Sequence, residues 1–205
     1  MKKLLVFLWL SCTLPLFPQK SGKPGEFDYY LLVLSWSPEF CHGKPSAPQC
    51  KEHRNFVLHG LWPQNNDGSY PVNCATTQPA PTDLSKIKQI MPSEIVAHEW
   101  QKHGTCSGLS GDEYFRLAAT LFQSIKVPTD LVAPTRTATM RPAEFKKDLE
   151  NVNPGYADQD IAIELRQGYL NAVELCFSKD DHPTPTACLH VPDAKNRTFR
   201  IPPVR

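Results

Sequence analysis

The chain has 205 residues, of which 40% are hydrophobic and 21% charged, so it is long enough to bury a core of its own as a single domain. Its 22 basic and 21 acidic residues nearly cancel, to a formal net charge of +1. This balance excludes a coiled coil, a disordered tail and a protein that holds nucleic acid only through a basic surface.

The N-terminal residues have the pattern of a secretory signal peptide. Lys2 and Lys3 precede an apolar run at residues 4–10, which is far shorter than a membrane span and is followed by small and turn-forming residues. We predict a signal peptide over residues 1–19 and one domain over residues 20–205; a disordered N-terminus is the alternative. The protein is therefore expected to be secreted or periplasmic, and to be a monomer with no membrane contact after removal of the signal.

The cysteines fit an oxidising compartment. Cys12 falls within the predicted signal peptide, so an even number remains in the mature chain, which indicates a framework of three disulfides. Short loops close most easily, so cysteines close in sequence are expected to pair. The predicted disulfides are Cys41–Cys50, Cys74–Cys106 and Cys176–Cys188. A zinc site would need a C-x-x-C pair, which is missing, and a catalytic thiol would need an unpaired cysteine.

The first predicted elements are two strands and a long loop. Residues 27–36 are aromatic and aliphatic until Ser37-Pro38, which is typical of a strand buried on both faces. Asn55–Leu58 predicts a second, short strand that ends in His59-Gly60. Residues 65–81 are mostly Asn, Gly, Ser, Thr and Pro, and are expected to form a loop.

Three helices and a hairpin follow. The helices are bounded by Ser93 and Gly104, by Ser110 and Pro128, and by Pro142 and Asn153. Apolar and polar side chains then alternate in residues 161–166 and 173–177 on either side of Gln167-Gly168, which predicts a hairpin. Strands, then helices, then strands describe an α+β domain with a central, mainly antiparallel sheet packed against several helices.

The densest group of reactive side chains lies in residues 98–103, HEWQKH. On a helix Glu99 and His103 lie one turn apart, and His98 pairs with Lys102 on the adjoining face. The ordinary interpretation of such a group is a solvated surface. A zinc-protease helix needs histidines four residues apart; here the interval is five, so no metal site is expected.

A second candidate is the segment 56–64, FVLHGLWPQ. His59 would project from a strand end, Gly60 would let a ligand approach, and Trp62 would lie on a turn stiffened by proline. Taken alone, a histidine at a strand end and a tryptophan beside it more often have a structural role than a catalytic one. Together the two segments contain what metal-free RNA cleavage needs: two imidazoles as acid and base, cations for the phosphate and a ring on which a nucleobase stacks.

At these residues the sequence resembles the ribonuclease T2 family of secreted endoribonucleases. Both family signatures are present, HGLWP at residues 59–63 and HEWQKHGTC at residues 98–106, and the similarity extends from the opening strand to Cys188. The resemblance implies a ribonuclease T2-like α+β fold, single-stranded RNA rather than DNA as substrate, and no cofactor or metal. The Cys74–Cys106 disulfide is also what the family would have.

The resemblance also implies a role for each matched residue. His103 would be the general base on the 2′-hydroxyl and His59 the general acid for the leaving oxygen. His98 would hold the phosphate, while Glu99 and Lys102 stabilise the pentacovalent transition state. The product would be a 2′,3′-cyclic phosphate, opened later to a 3′-phosphate.

The residues expected to bind the nucleobase are Trp62 and Tyr70, which would sandwich the upstream base, and Gln64, whose amide would contact it. A non-catalytic RNA-binding or storage relative of the same fold is the alternative function, although such chains usually lose a catalytic histidine. Four histidines lie in no motif and are interpreted as surface or loop residues: His42, His53, His182 and His190.

Overall fold

A computed structural model describes residues 19–74, 77–194 and 196–204. The predicted signal peptide, residues 1–19, lies outside these ranges except for Gln19. None of the helices within them combines the length and the apolar character that a membrane span requires.

The strands are β1 (Gln19–Ser21), β2 (Tyr29–Trp36), β3 (Phe56–Gln64), β4 (Tyr70–Val72), β5 (Ala138–Met140), β6 (Ile161–Arg166), β7 (Tyr169–Ser178) and β8 (Phe199–Ile201). The helices are α1 (Ser37–Gly43), α2 (Val96–Lys102), α3 (Gly111–Ser124), α4 (Thr129–Val132) and α5 (Pro142–Val152). Single 3₁₀ turns lie at Pro48–Glu52, Ile87–Gln89, Gly104–Cys106 and Asp158–Asp160.

A six-stranded sheet organises the domain, with the order β3-β2-β7-β8-β5 and with β6 also paired to β7. Its pairings are antiparallel except for a single-residue contact between β7 and β8. A small parallel pair joins β1 to β4. The predicted α+β class with a mainly antiparallel sheet is therefore confirmed.

The two faces of the sheet have different roles because successive side chains of a strand point to opposite sides. Leu32, Leu34 and Trp36 of β2 enter the main core with Tyr114 of α3 and Phe145 of α5. The alternate residues of β2 face a second, smaller apolar cluster that includes Trp62, Cys176 and Cys188. Strand β2 is buried on both faces, as predicted.

The second strand is longer than the sequence predicts. It does not end at His59-Gly60 but continues to Gln64, because β3 pairs with β2 along its whole length. Trp62 therefore lies on a strand, and the expectation that it lies on a turn is wrong. Pro63 is tolerated because β3 is an edge strand, where a missing N–H costs no ladder hydrogen bond. The predicted loop at 65–81 also contains the short strand β4.

The start of α2 differs from its prediction. Ser93 does not cap the helix: the Ile95 N–H donates to the Pro92 carbonyl in a preceding turn, and α2 begins at Val96 without a side-chain cap. Helix α1 was not predicted, although Pro38 suits the first turn of a helix.

The predicted bounds of the next two helices and the predicted hairpin are confirmed in part or in full. Ser110 and Glu113 form the predicted capping box of α3, although that helix ends at Ser124, before Pro128. Helix α5 begins at Pro142 and ends at Val152. The hairpin of β6 and β7 turns at Gln167 and Gly168, both with positive φ.

Three disulfides secure the connections outside the sheet: Cys41–Cys50, Cys74–Cys106 and Cys176–Cys188. The second joins the segment after β4 to the turn that follows α2. The third fastens the segment after Pro185 to β7. Both lie next to the candidate site, so two of the loops that surround it are covalently tied to the fold.

Candidate active site

A β-bulge in β3 determines where His59 points. Gly60 pairs with Val33 and Leu58 with Leu34, so His59 is an extra residue with no partner on β2. A bulge of this kind bends the strand and re-aims a side chain. The His59 Nδ1 atom consequently lies 3.1 Å from the Ser35 Oγ atom, on the face of the sheet that carries Trp62.

Gly60 is needed for close approach. A Cβ atom at this position would collide with the Glu99 carboxylate and with the Trp62 indole nitrogen. The absence of a side chain lets α2 lie against β3, and the Trp62 Nε1–H then donates to Glu99 Oε2 at 2.7 Å. The glycine of the first motif thus joins the two motifs.

Glu99 is the buried acid of the site, with 1% of its residue surface exposed. Its Oε1 atom lies 3.6 Å from His59 Nε2. Burial raises the pKa of Glu99 to about 7, against the opposing effects of the Trp62 hydrogen bond and of Lys102. Near neutral pH this carboxyl is therefore present in two forms: ionised, when it only accepts hydrogen bonds, and protonated, when its O–H can donate one.

His103 directly follows α2, and its backbone N–H donates to the Glu99 carbonyl at 3.1 Å. Its ring stacks on Trp62, with 4.9 Å between ring centroids and 20° between planes. Burial, with Lys102, His98 and His59 nearby, lowers the pKa of His103 to about 2. The ring is thus held neutral, the state that a base requires. In the part of the chain described, its Nδ1 atom has no hydrogen-bond partner.

The other imidazole, His59, remains more accessible, with 40% of its side chain exposed. Burial, with contributions from His98 and Lys102, lowers its pKa to about 4. The pKa of His59 therefore lies above that of His103, which separates the two rings by their proton affinity. Two groups with such different environments suit an acid and a base.

His98 and Lys102 project from α2 beside these groups. His98 is exposed and Lys102 is half-buried, and both depress the pKa of each of the other two site histidines. The structure therefore brings together all the side chains for which the sequence predicts a catalytic role: His59, His98, Glu99, Lys102 and His103. Within the described ranges, no three His, Cys, Asp or Glu side chains are grouped as metal ligands.

A pocket of about 180 Å³ opens beside Trp62 and His103. The residues predicted to bind the nucleobase, Trp62, Gln64 and Tyr70, all line it. His103 covers one face of the Trp62 ring, so only its remaining surface is available to a base.

The opposite wall of this pocket, residues 189–192, was not identified from the sequence. The Tyr29 hydroxyl donates to the Leu189 carbonyl at 2.7 Å, and the Cys176–Cys188 disulfide fixes the start of the segment. His190, interpreted as a surface or loop residue, is indeed exposed but lines the pocket. The predicted pairing of Cys188 was the one sequence signal that could have located this wall.

Comparisons with known proteins agree with this geometry. The model of the ribonuclease T2 family matches residues 27–188. A ribonuclease of Aeromonas hydrophila is 36% identical over 190 residues, which cover 88% of this chain and 86% of that protein. The extracellular ribonuclease LE of Solanum lycopersicum is 33% identical over 147 residues, 62% of each chain.

Among solved structures, a mutant of ribonuclease MC1 in complex with 5′-UMP is similar. It has a TM-score of 0.63 and 26% identity, and the match covers 85% of this chain and 98% of that one. The matched family model spans most of the chain and includes both motifs that meet at Trp62. The chain belongs to the ribonuclease T2 family.

Proposed function

We propose that this protein, an RNA-cleaving endoribonuclease of the T2 type, cuts single-stranded RNA without a metal ion, by attack of a 2′-oxygen on the neighbouring phosphorus. The observation that carries the proposal is that His59 and His103 both lie against the Trp62 ring, with centroids 5.4 and 4.9 Å from it. Two imidazoles of different pKa thus share one cleft beside a pocket of the kind that takes a nucleobase.

In the first step His103 removes the proton of the 2′-hydroxyl while the 2′-oxygen bonds to phosphorus. The bond from phosphorus to the 5′-oxygen breaks, and His59 donates its proton to that oxygen. The products are a 2′,3′-cyclic phosphate and a 5′-hydroxyl. Water then opens the cycle to a 3′-phosphate, with the two histidines exchanging roles.

The transition state carries extra negative charge on the phosphoryl oxygens, which the remaining site residues stabilise. Lys102 and His98 provide cations, with His98 on the solvent side where the phosphate enters. Glu99, with its pKa raised to about 7, donates a hydrogen bond when protonated. Donors placed in advance around developing charge are usually the largest contribution to such catalysis.

The substrate and the cellular location follow from the same features. Stacking on Trp62 and Tyr70 needs an unpaired base, which favours single-stranded RNA, and DNA lacks the attacking hydroxyl. We propose export through the signal peptide at residues 1–19 to the periplasm or the medium, as a monomer. The three disulfides and the extracellular tomato relative support this location.

A digest of a defined single-stranded RNA in EDTA, with a DNA strand of the same sequence as control, tests the proposal. We expect cleavage of the RNA alone, unchanged by the chelator, with 2′,3′-cyclic phosphate at the new ends by mass spectrometry. Intact RNA would instead indicate a non-catalytic relative of the fold. Activity lost in EDTA, or 5′-phosphate ends, would refute the mechanism.

A further inference from the structure

Glu174 lies in the pocket beside the catalytic residues, although neither motif contains it. It belongs to β7, where it pairs with Val33 of β2 and Ala162 of β6. It is 8% exposed, and its side chain lines the same pocket as Trp62 and His103. The carboxyl thus faces the space next to the reacting groups.

Its carboxyl has no partner of its own. Of the side chains and backbone groups described, none donates a hydrogen bond to Glu174 or forms an ion pair with it. The groups that affect its charge are Glu164 and Asp193, both acidic, and the nearby Tyr29 phenol. Burial, reinforced by these two acids, raises the pKa of Glu174 to about 8.

The carboxyl opens onto the pocket and receives no hydrogen bond from the protein groups described, so a ligand that enters the pocket can supply one. In an RNA strand the phosphates are negatively charged acceptors. They cannot donate a hydrogen bond to Glu174, and the neighbouring acids Glu164 and Asp193 repel them. The reacting 2′-hydroxyl is engaged by His103 in the proposed mechanism. In the nucleotide whose base enters the pocket, the donors that remain are the N–H groups of that base.

The bases differ in how well they fit a carboxyl. Guanine presents two neighbouring donors, its ring N1–H and its exocyclic amino group, which match the two oxygens of the ionised carboxyl. Two such hydrogen bonds stabilise the charged form, so guanine lowers the raised pKa of Glu174 when it binds. Adenine and cytosine each offer an exocyclic amino group beside a ring acceptor. Uracil has a single N–H between two carbonyl oxygens, which a carboxylate repels.

Resting on the proposed function, we propose that Glu174 determines base specificity by accepting hydrogen bonds from the nucleobase on the 5′ side of the cleaved bond. It favours guanine most and uracil least. Trp62 and Tyr70 supply stacking that is insensitive to sequence, and Glu174 adds the discrimination.

Cleavage of the dinucleoside monophosphates GpU, ApU, CpU and UpU by the whole protein tests this inference. They differ only in the 5′ base, so their kcat/KM values isolate its recognition. At pH 8, where the Glu174 carboxyl with its pKa of about 8 is partly ionised, we expect kcat/KM of the unmodified protein for GpU to exceed that for UpU by about tenfold or more. Glu174→Gln should reduce this ratio to within about threefold, mainly through slower GpU cleavage. Glu52→Gln removes an exposed acid that neither lines the pocket nor affects the pKa of Glu174; it is the matched control and should leave the ratio unchanged.

The outcomes separate the inference from the function on which it rests. A lack of preference for GpU in the unmodified protein, or an unchanged ratio in Glu174→Gln, would overturn the role of Glu174 while leaving the ribonuclease intact. An equal loss on all four substrates in that variant would overturn it too, as a base-independent effect. Failure of the unmodified protein to cleave any of the four, or longer RNA, would refute the proposed function itself.

Discussion

Ser35 holds the general acid of the proposed mechanism in place. Its Oγ atom is the partner of His59 Nδ1 at 3.1 Å, so when it accepts the Nδ1–H it turns Nε2 toward the leaving oxygen. It also stabilises the imidazolium, because a hydrogen bond to the charged form favours that form.

We expect Ser35→Ala to lower kcat about tenfold, since a hydrogen bond to a charged group is worth about 1.5–3 kcal/mol, while KM changes little. The alkaline limb of the pH profile should move to lower pH as the pKa of His59 falls. Ser35→Thr, which retains the hydroxyl, is the control. A uniform loss of activity with an unshifted profile would show that Ser35 only supports the fold.

The pKa values of the two histidines predict an acidic pH optimum. His103 must be neutral and His59 protonated, and their pKa values in the free protein are about 2 and about 4. The active form therefore declines as pH rises through the pKa of His59. A bound phosphate shifts this limb upward because an anion stabilises the imidazolium.

Measurement of kcat/KM from pH 2 to pH 9 checks this expectation, with a maximum below neutrality and a fall on the alkaline side. A rate that keeps rising above pH 8 would contradict the assignment of acid and base.

The residues of the site differ in how far the sequence reveals them. His59 and His103 lie in motifs from which their catalytic roles can be predicted without a structure. Glu174 alternates with Val173 and Leu175 on β7, so the pattern predicts a side chain that faces solvent. Residues 189–192 line the same pocket as Glu174, and no periodicity in the sequence predicts that this segment lies beside β7.

Helices and strands also differ in how far the sequence predicts them. Helix α5 and the β6–β7 hairpin were predicted because their signals are local: a proline at the first helical position and a strict alternation around a turn. The length of β3 depends on pairing with β2, whose paired residues lie 20 to 35 positions earlier in the chain. Its bulge, which aims His59, has no local sequence signal beyond Gly60.

Helix α5 also stabilises the pocket wall. Lys146 is 4% exposed and donates to Asp193 Oδ2 at 2.7 Å and to the Asp158 carbonyl at 3.1 Å. The other Asp193 oxygen accepts from the Ile163 N–H at 3.0 Å. The C-terminal end of the segment 189–192 is thus attached, through Asp193, to both helix α5 and strand β6.

Lys146→Ala should lower the free energy of unfolding by about 3 kcal/mol, because it leaves the half-buried Asp193 without its ion-pair partner and removes the packed Lys146 side chain. The neighbouring Lys147 forms an exposed pair with Glu150, and Lys147→Ala should cost less than about 0.5 kcal/mol. Urea denaturation of both variants checks this contrast. Equal losses would show that the buried pair does not anchor the segment.

For the molecule as a whole, the division of the sheet into two faces explains how a nearly neutral protein can act on RNA. Most of the apolar core and the helices α3 and α5 lie on one face, which leaves the other for the site. Lys102 and His98 project there from α2, next to His59 and His103. Such an arrangement suits an enzyme that binds at one phosphate, whereas a protein that only binds RNA needs a broad basic surface.

The central claim is that His59 and His103 act as acid and base on one phosphodiester. The most direct test compares a dinucleoside monophosphate with the p-nitrophenyl 3′-phosphate ester of the same nucleoside, whose leaving group needs no proton. We expect His59→Ala to slow the dinucleotide by ~10²–10⁴-fold and to slow the aryl ester by less than about tenfold. His103→Ala should slow both, since both need the 2′-hydroxyl deprotonated. Equal losses on the two substrates in His59→Ala, or an aryl ester cleaved normally by His103→Ala, would contradict the account.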